Sequence, residues 1–196
     1  MYIPKNKPEM VNVPAMKFFM INGHGNPNNS EEFSKAVEAL YSLSYGIKML
    51  PKSGEMPEGY FDYTVYPLEG VWDLDEEGRQ KESLDKDHLV FTLMIRQPDF
   101  VTENMAVKII EKIKKKKPDL LLDKVEFGTI EEGPCIQMLH QGSYDTEPQS
   151  FSTMEQFCHE KGLRRKEKTH REIYLSDARK TPPEKQKTVL RFKYEI

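Results

Sequence analysis

Two stretches of this chain pass through the same succession of strand, glycine turn, helix, strand and strand, and that duplication restricts the fold more than any single element does. Met20-Ile21-Asn22-Gly23-His24-Gly25 aligns with Leu139-His140-Gln141-Gly142-Ser143-Tyr144. Phe33 and Phe151 open the two following helices, and Tyr63-Thr64-Val65-Tyr66 lies opposite Arg171-Glu172-Ile173-Tyr174. A duplicated β-α-β-β unit can join its strands in one antiparallel sheet with the helices on one face, leaving the other face to curve around a ligand. The expected class is α+β: two pseudo-twofold-related βαββ modules forming one antiparallel sheet, helices on one face, and a central ligand cleft.

Pro4, Pro8 and Pro14 make residues 1–14 an extended arm. Met16 to Ile21 reads as a strand, and Asn29 with Glu32 as the capping box of a helix that carries Phe33, Ala36, Val37, Leu40, Leu43 and Ile47 at helical spacing. Strands are expected from Tyr60 to Tyr66, at Val71-Trp72 after a corner at Pro67 to Gly70, and from Leu89 to Arg96. The charged stretch Asp75 to Asp87 between them reads as a solvated hairpin tip. Thr102 opens a second helix that ends in Lys114 to Lys117 and Pro118. A strand at Cys135 to Leu139 precedes a third helix, expected from about Ser152, capped with Glu155, to Gly162. Strands Thr169 to Leu175 and Thr188 to Tyr194 complete the second module. Module one thus spans about 15–97, a linking helix about 101–117 and module two about 120–196.

Several function classes are disfavoured by composition. Lys and Arg number 29 against 32 Asp and Glu, a net charge of -3, whereas a generic nucleic-acid binder is basic. The lysine run reads as a solvated helix end, since neither an aromatic residue nor a further arginine is interleaved with it. No apolar run approaches the roughly 18 to 20 residues that span a bilayer, and the opening MYIPKNKPEM has no signal-peptide core. The two cysteines, Cys135 and Cys158, suit a reducing compartment. A cytoplasmic protein with neither a membrane nor a nucleic-acid partner is expected. His24, His88, His140, His159 and His170 form no HxxxH or HExxH pair, and the glycines form neither a P-loop nor GxGxxG, so no metal or cofactor is expected. Cys158, on its helix, reads as a packing residue and not as a nucleophile.

Period-two alternation along Thr169 to Leu175 groups His170, Glu172 and Tyr174 on one side and Arg171, Ile173 and Leu175 on the other. Ile173 and Leu175 are expected to pack under the helices, which turns Glu172 toward the face left for binding. In the first module Tyr60, Asp62, Thr64 and Tyr66 share a side, which relates Tyr66 to Tyr174 and makes Asp62 and Thr64 ligand-facing. Trp72, the only tryptophan, can form a wall. A carboxylate among aromatics can hold a planar cation by Coulomb and cation-π attraction. It can also act as a base or an acid when burial raises its pKa.

Pro67-Leu68-Glu69-Gly70-Val71-Trp72, Met94-Ile95-Arg96-Gln97-Pro98, Gln137-Met138-Leu139-His140-Gln141-Gly142-Ser143-Tyr144 and Glu172-Ile173-Tyr174-Leu175-Ser176-Asp177 resemble the stand-alone GyrI-like small-molecule-binding proteins, over about Met16 to Arg191. The resemblance implies two βαββ modules of the SHS2 type around a cleft for drug-like, often aromatic or cationic compounds. It implies Glu172 in that cleft, with Trp72 and Tyr144 in its wall. Some stand-alone members hydrolyse the cyclopropane of DNA-alkylating natural products, and others bind many drugs without chemistry, so a hydrolase with Glu172 and Tyr144 as catalytic residues and a non-catalytic sequestrant or sensor both follow. Asp73 stands where relatives often carry a second tryptophan, and Arg171 where they often carry a histidine. Arg171 is expected to matter little, because the alternation turns it from the cleft. No helix-turn-helix segment remains unassigned, so direct DNA binding is not expected.

Overall fold

The computed structural model describes residues 2–196. Along the chain run β1 (Glu9–Val13), β2 (Met16–His24), α1 (Glu31–Lys48), β3 (Leu68–Leu74), β4 (Leu89–Gln97), α2 (Glu103–Lys116), β5 (Glu126–Ile130), β6 (Gly133–Gln141), α3 (Glu147–Glu160), β7 (Arg164–Arg165), β8 (His170–Tyr174) and β9 (Lys187–Glu195). The class is α+β with antiparallel pairing, and β2-α1-β3-β4 and β6-α3-β8-β9 repeat the same element order. The chain divides into two compact units. A central unit holds Met16–Leu68 and Leu74–Ile130; a terminal unit holds the residues up to Ala15, Glu69–Asp73 and Glu131–Ile196.

In the central unit β2 pairs with β4 on one side and β5 on the other, with Phe19 opposite both Ile95 and Phe127. Ala36, Ala39, Leu40, Leu43 and Ile47 form the buried stripe of α1, as the spacing predicts. Its cap is Ser30, whose Oγ accepts from the Phe33 amide at 3.0 Å, one residue beyond the expected Asn29. Thr102 caps α2 as expected, its Oγ1 accepting from the Met105 amide at 3.2 Å.

The expected strand from Tyr60 to Tyr66 is absent: residues 60–67 carry no ladder. Their rings gather on Phe100 instead, with centroid distances of 5.3 Å for Tyr60, 5.8 Å for Phe61 and 6.1 Å for Tyr63. Such edge-to-face packing satisfies an aromatic-rich segment without cross-strand bonds, so its alternation does not report a pleat.

The terminal unit pairs its strands in the order β1-β6-β9-β8-β3, with β7 on β9. Within the expected extended arm, β1 is a true strand on β6, bracketed by Pro8 and Pro14, which cannot donate to a ladder. α3 begins at Glu147, five residues before the expected Ser152, because Pro148 fits a first helical turn where its missing N–H costs nothing. His140 fixes this start. Its Nδ1 pairs with Ser150 Oγ at 2.8 Å and its Nε2 with the Ser143 carbonyl at 3.0 Å, tying the end of β6 to the first turn of the helix.

One face of these strands packs on α3, where Ile136, Met138, Leu190 and Phe192 meet Met154 and Cys158. Both cysteines are buried and unpaired, and burial pushes both thiols up, Cys135 to about 12, so neither is a ready nucleophile. The opposite face carries a chain of charged and polar groups. Arg171 bonds Glu69 at 2.6 Å and lies 3.0 Å from Glu132. Glu132 also takes Arg191 at 2.8 Å, while Arg191 donates to Gln137 Oε1 at 2.9 and 3.1 Å and Gln137 donates to Glu9 at 2.8 Å. Tyr2 closes the other end, donating to Glu69 at 3.0 Å. Arg171, expected to matter little to the cleft, is a buried cation between two carboxylates, a position where removing one partner is costly.

Candidate functional site

The site is built on β8 and on the strand segment beside it. Residues directly opposite in an antiparallel ladder share a face. Glu172 stands opposite Leu190, which packs under α3, and Gly70 and Trp72 stand opposite Glu172 and His170. The expectation that Ile173 packs under the helices and Glu172 looks away is thus reversed. Gly70, Trp72, His170, Glu172 and Tyr174 share the α3 face, and Ile173, opposite Glu69 and Val189, lies with Arg171 on the other.

A directed set of hydrogen bonds holds Glu172. Trp72 Nε1 lies 2.8 Å from the Tyr174 hydroxyl, and an indole N–H can only donate. The Tyr174 hydrogen is then free for Glu172 Oε2, at 2.8 Å. His170 Nε2 meets Glu172 Oε1 at 3.0 Å, and the imidazole is itself set by the Phe151 ring, 4.8 Å away edge to face. Gly70 makes the arrangement fit: a Cβ there would stand 2.6 Å from Trp72 Nε1 and 3.1 Å from the Tyr174 hydroxyl. Tyr144 meets the Tyr174 ring edge to face at 6.1 Å and remains partly open to solvent. Burial, followed by the charge of Glu172, pushes Tyr144 up to about 12 and Tyr174 well above the ordinary phenol range.

Glu147, which the sequence reading missed, completes the group from the first position of α3. It stands beside Glu172, and the two residues are 7% and 9% exposed. Burial first, and then the charge of Glu172, push Glu147 up to about 9. The available signal was Pro148, which marks the first turn of a helix and so places Glu147 at its mouth.

Of the sequence-predicted site residues, Glu172, Tyr174, His170, Trp72 and Tyr144 come together in the terminal unit. Asp62, Thr64 and Tyr66 belong to the central unit, on the segment that lacks a ladder. Asp62 is exposed and lies 3.5 Å from Lys48; Thr64 is exposed; Tyr66 stacks on Tyr63 and carries the Arg96 guanidinium over its ring at 4.8 Å. Asp73 accepts from Thr169 Oγ1 at 2.9 Å. Among the described residues no three His, Cys, Asp or Glu side chains are grouped to hold a metal, and no helix is long and apolar enough to cross a membrane.

The family model of the GyrI-like small molecule binding domain matches residues 6–194. A structure described as a hydrolase from Listeria innocua is 41% identical, with a TM-score of 0.88, over 99% of this chain and 94% of that one. An uncharacterized conserved protein from the same organism is 43% identical, with a TM-score of 0.90, over 99% and 95%. The EcmrR C-terminal domain shares the fold at 12% identity and a TM-score of 0.53, over 96% of this chain and 97% of that one. Among curated proteins, none matches.

Proposed function

This chain belongs to the GyrI-like small-molecule-binding family, and from that premise we propose that the α3 face around Glu172 takes up amphipathic aromatic molecules, cationic ones among them, and opens strained cyclopropanes by hydrolysis. The observation that carries the reading is the carboxylate itself, buried among Trp72, Tyr174 and His170 and oriented through both of its oxygens. Glu172 takes a proton from a water whose oxygen attacks the ring carbon. The ring C–C bond breaks, its electron pair moves into the conjugated carbonyl oxygen, and a donor such as Tyr144 supplies the proton that oxygen takes. Positioned acid–base groups contribute about 10²- to 10⁴-fold each. The description of a 41% identical relative as a hydrolase supports the reading.

Single-turnover assays on a duocarmycin-like cyclopropane, with mass spectrometry for the water adduct, test it. Wild type should open the ring well above the buffer rate, and Glu172→Gln should lose most of that while still binding neutral ligands. Binding without ring opening in both would leave a sequestrant. That second reading is favoured by the single negative charge set among aromatic faces, which suits retention of a planar cation without chemistry.

A further inference from the structure

The hydrolytic reading leaves Glu147 unused, although it is the most unusual group on this face. Two buried carboxyls side by side oppose each other's charge, so that the two together hold one hydrogen. The neighbours decide which group carries it. Glu172 is met by Tyr174 on one oxygen and by His170 on the other, so both of its oxygens are already engaged. Glu147 Oε1, by contrast, is buried with no hydrogen-bond partner among the described residues. An ionised oxygen in that position would forfeit its solvation without return, whereas the oxygen of a neutral acid loses far less. The proton of the pair therefore sits on Glu147. The unpartnered oxygen also marks where a polar ligand atom gains most by arriving.

We infer that Glu147 is the proton donor of this site: it holds the single proton of a Glu147–Glu172 pair and delivers it to the ligand oxygen that gains charge as the ring opens. The inference rests on the hydrolytic reading and replaces Tyr144 in that role. Tyr144, whose phenol is pushed up to about 12, is the weaker acid of the two. The step balances. Water gives its proton to Glu172 and its oxygen to the ring carbon; the broken C–C bond leaves its pair on the conjugated oxygen, which takes the proton of Glu147. The pair then holds one proton again, now on Glu172, and its return to Glu147 restores the starting state. The groups facing Glu147 are Glu172 on β8, Asp145 in the preceding turn and Tyr144, with Tyr174 and His170 behind Glu172. Of these, Glu172 and Asp145 oppose a charge on Glu147. The substrate class this favours is an electrophile with a conjugated carbonyl oxygen and at most one positive charge.

The test compares the full chain with Glu147→Gln, which keeps the shape and neutrality of the protonated acid. Infrared difference spectra at neutral pH should show a protonated carboxyl band that is lost in the variant and, in wild type, fades as pH passes about 9. In single turnovers Glu147→Gln should slow ring opening roughly 10²-fold or more. Cyclopropanes whose conjugated oxygen is made less basic should recover much of that loss, which a merely structural role for Glu147 would not produce. Should Glu147→Gln fold poorly, Glu147→Asp keeps the acid with a shorter reach and must retain the band at a reduced rate. A carboxyl band unchanged by Glu147→Gln overturns the pair. Equal losses whatever the basicity of the conjugated oxygen overturn the donor role. A wild type that binds but opens no ring overturns the hydrolytic reading and the donor role, while the infrared band still decides the pair on its own.

Discussion

Trp72 and Tyr174, 102 positions apart in sequence, meet through a 2.8 Å contact from indole Nε1 to phenol oxygen, and that contact commits the phenol hydrogen to Glu172. Trp72→Phe keeps an aromatic wall but removes the only donor able to set this direction. We expect a loss of about 0.5–1.5 kcal/mol in urea unfolding, the usual net value of one hydrogen bond, and a smaller effect on dye binding than Trp72→Ala, which should weaken it several-fold. Equal dye affinities in the two variants would show that the ring face contributes nothing.

Gly70→Ala places a methyl group 2.6 Å from Trp72 Nε1, closer than side chains tolerate. The indole must shift, and overpacking of this kind costs about 1–3 kcal/mol. Tryptophan fluorescence, which here reports one residue, should change in emission maximum, and affinity for a rhodamine ester should fall together with it. A variant with native emission and affinity would contradict the close approach.

Arg171 tests the polar chain on the far face. Removing one member of a buried charged group leaves its partners uncompensated, at a cost of about 3–5 kcal/mol. Arg171→Met should therefore lower the melting temperature sharply. Arg171→Met combined with Glu69→Gln should recover part of the loss, because one stranded carboxylate is gone. Failure of the double variant to recover would show that the two residues are not energetically coupled.

Stability should fall as pH rises across the range set by Glu147. Its carboxyl ionises near the ordinary carboxylate value in the unfolded chain but only at about 9 in the folded one. Between those values the folded state holds the extra proton, so the stabilisation is complete below the lower value and is lost progressively up to the higher. Glu147→Gln is neutral in both states. Its chemical unfolding should show a shallower decline from pH 5 to 9, and the variant should be the more stable one at the alkaline end. Parallel pH profiles for the two proteins would rule this out.

Much of the site was legible because its members lie on one strand with a period of two. His170, Glu172 and Tyr174 fall on one side by counting alone, and the strings around Trp72 and Tyr144 carry the family resemblance. Which side faces the helix was not legible. Both faces of β8 are buried, so an apolar Ile173 identifies neither, and its far face is closed by ion pairs between residues distant in sequence. Glu147 was hidden by Ser152 and Glu155, whose spacing imitates a helix start inside a helix that has already begun. The segment from Tyr60 to Tyr66 misled in the opposite way: its alternating rings serve an aromatic cluster, and nothing local distinguishes that from a pleated ladder.

The division of the chain has a consequence for assembly. Residues 69–73 belong to the unit otherwise made from both ends of the chain, and they bring Gly70 and Trp72 to Glu172. During synthesis this short stretch emerges long before β8, with its ladder partner still unmade. Loop closure over such a separation is slow compared with local pairing. The aromatic wall and the carboxylate can therefore meet only once β8 has been made. A fragment beginning at Glu131 would carry Glu147, Glu172 and Tyr174 yet lack their tryptophan, so the hydrogen-bonded set exists only where residues 69–73 and β8 are both present.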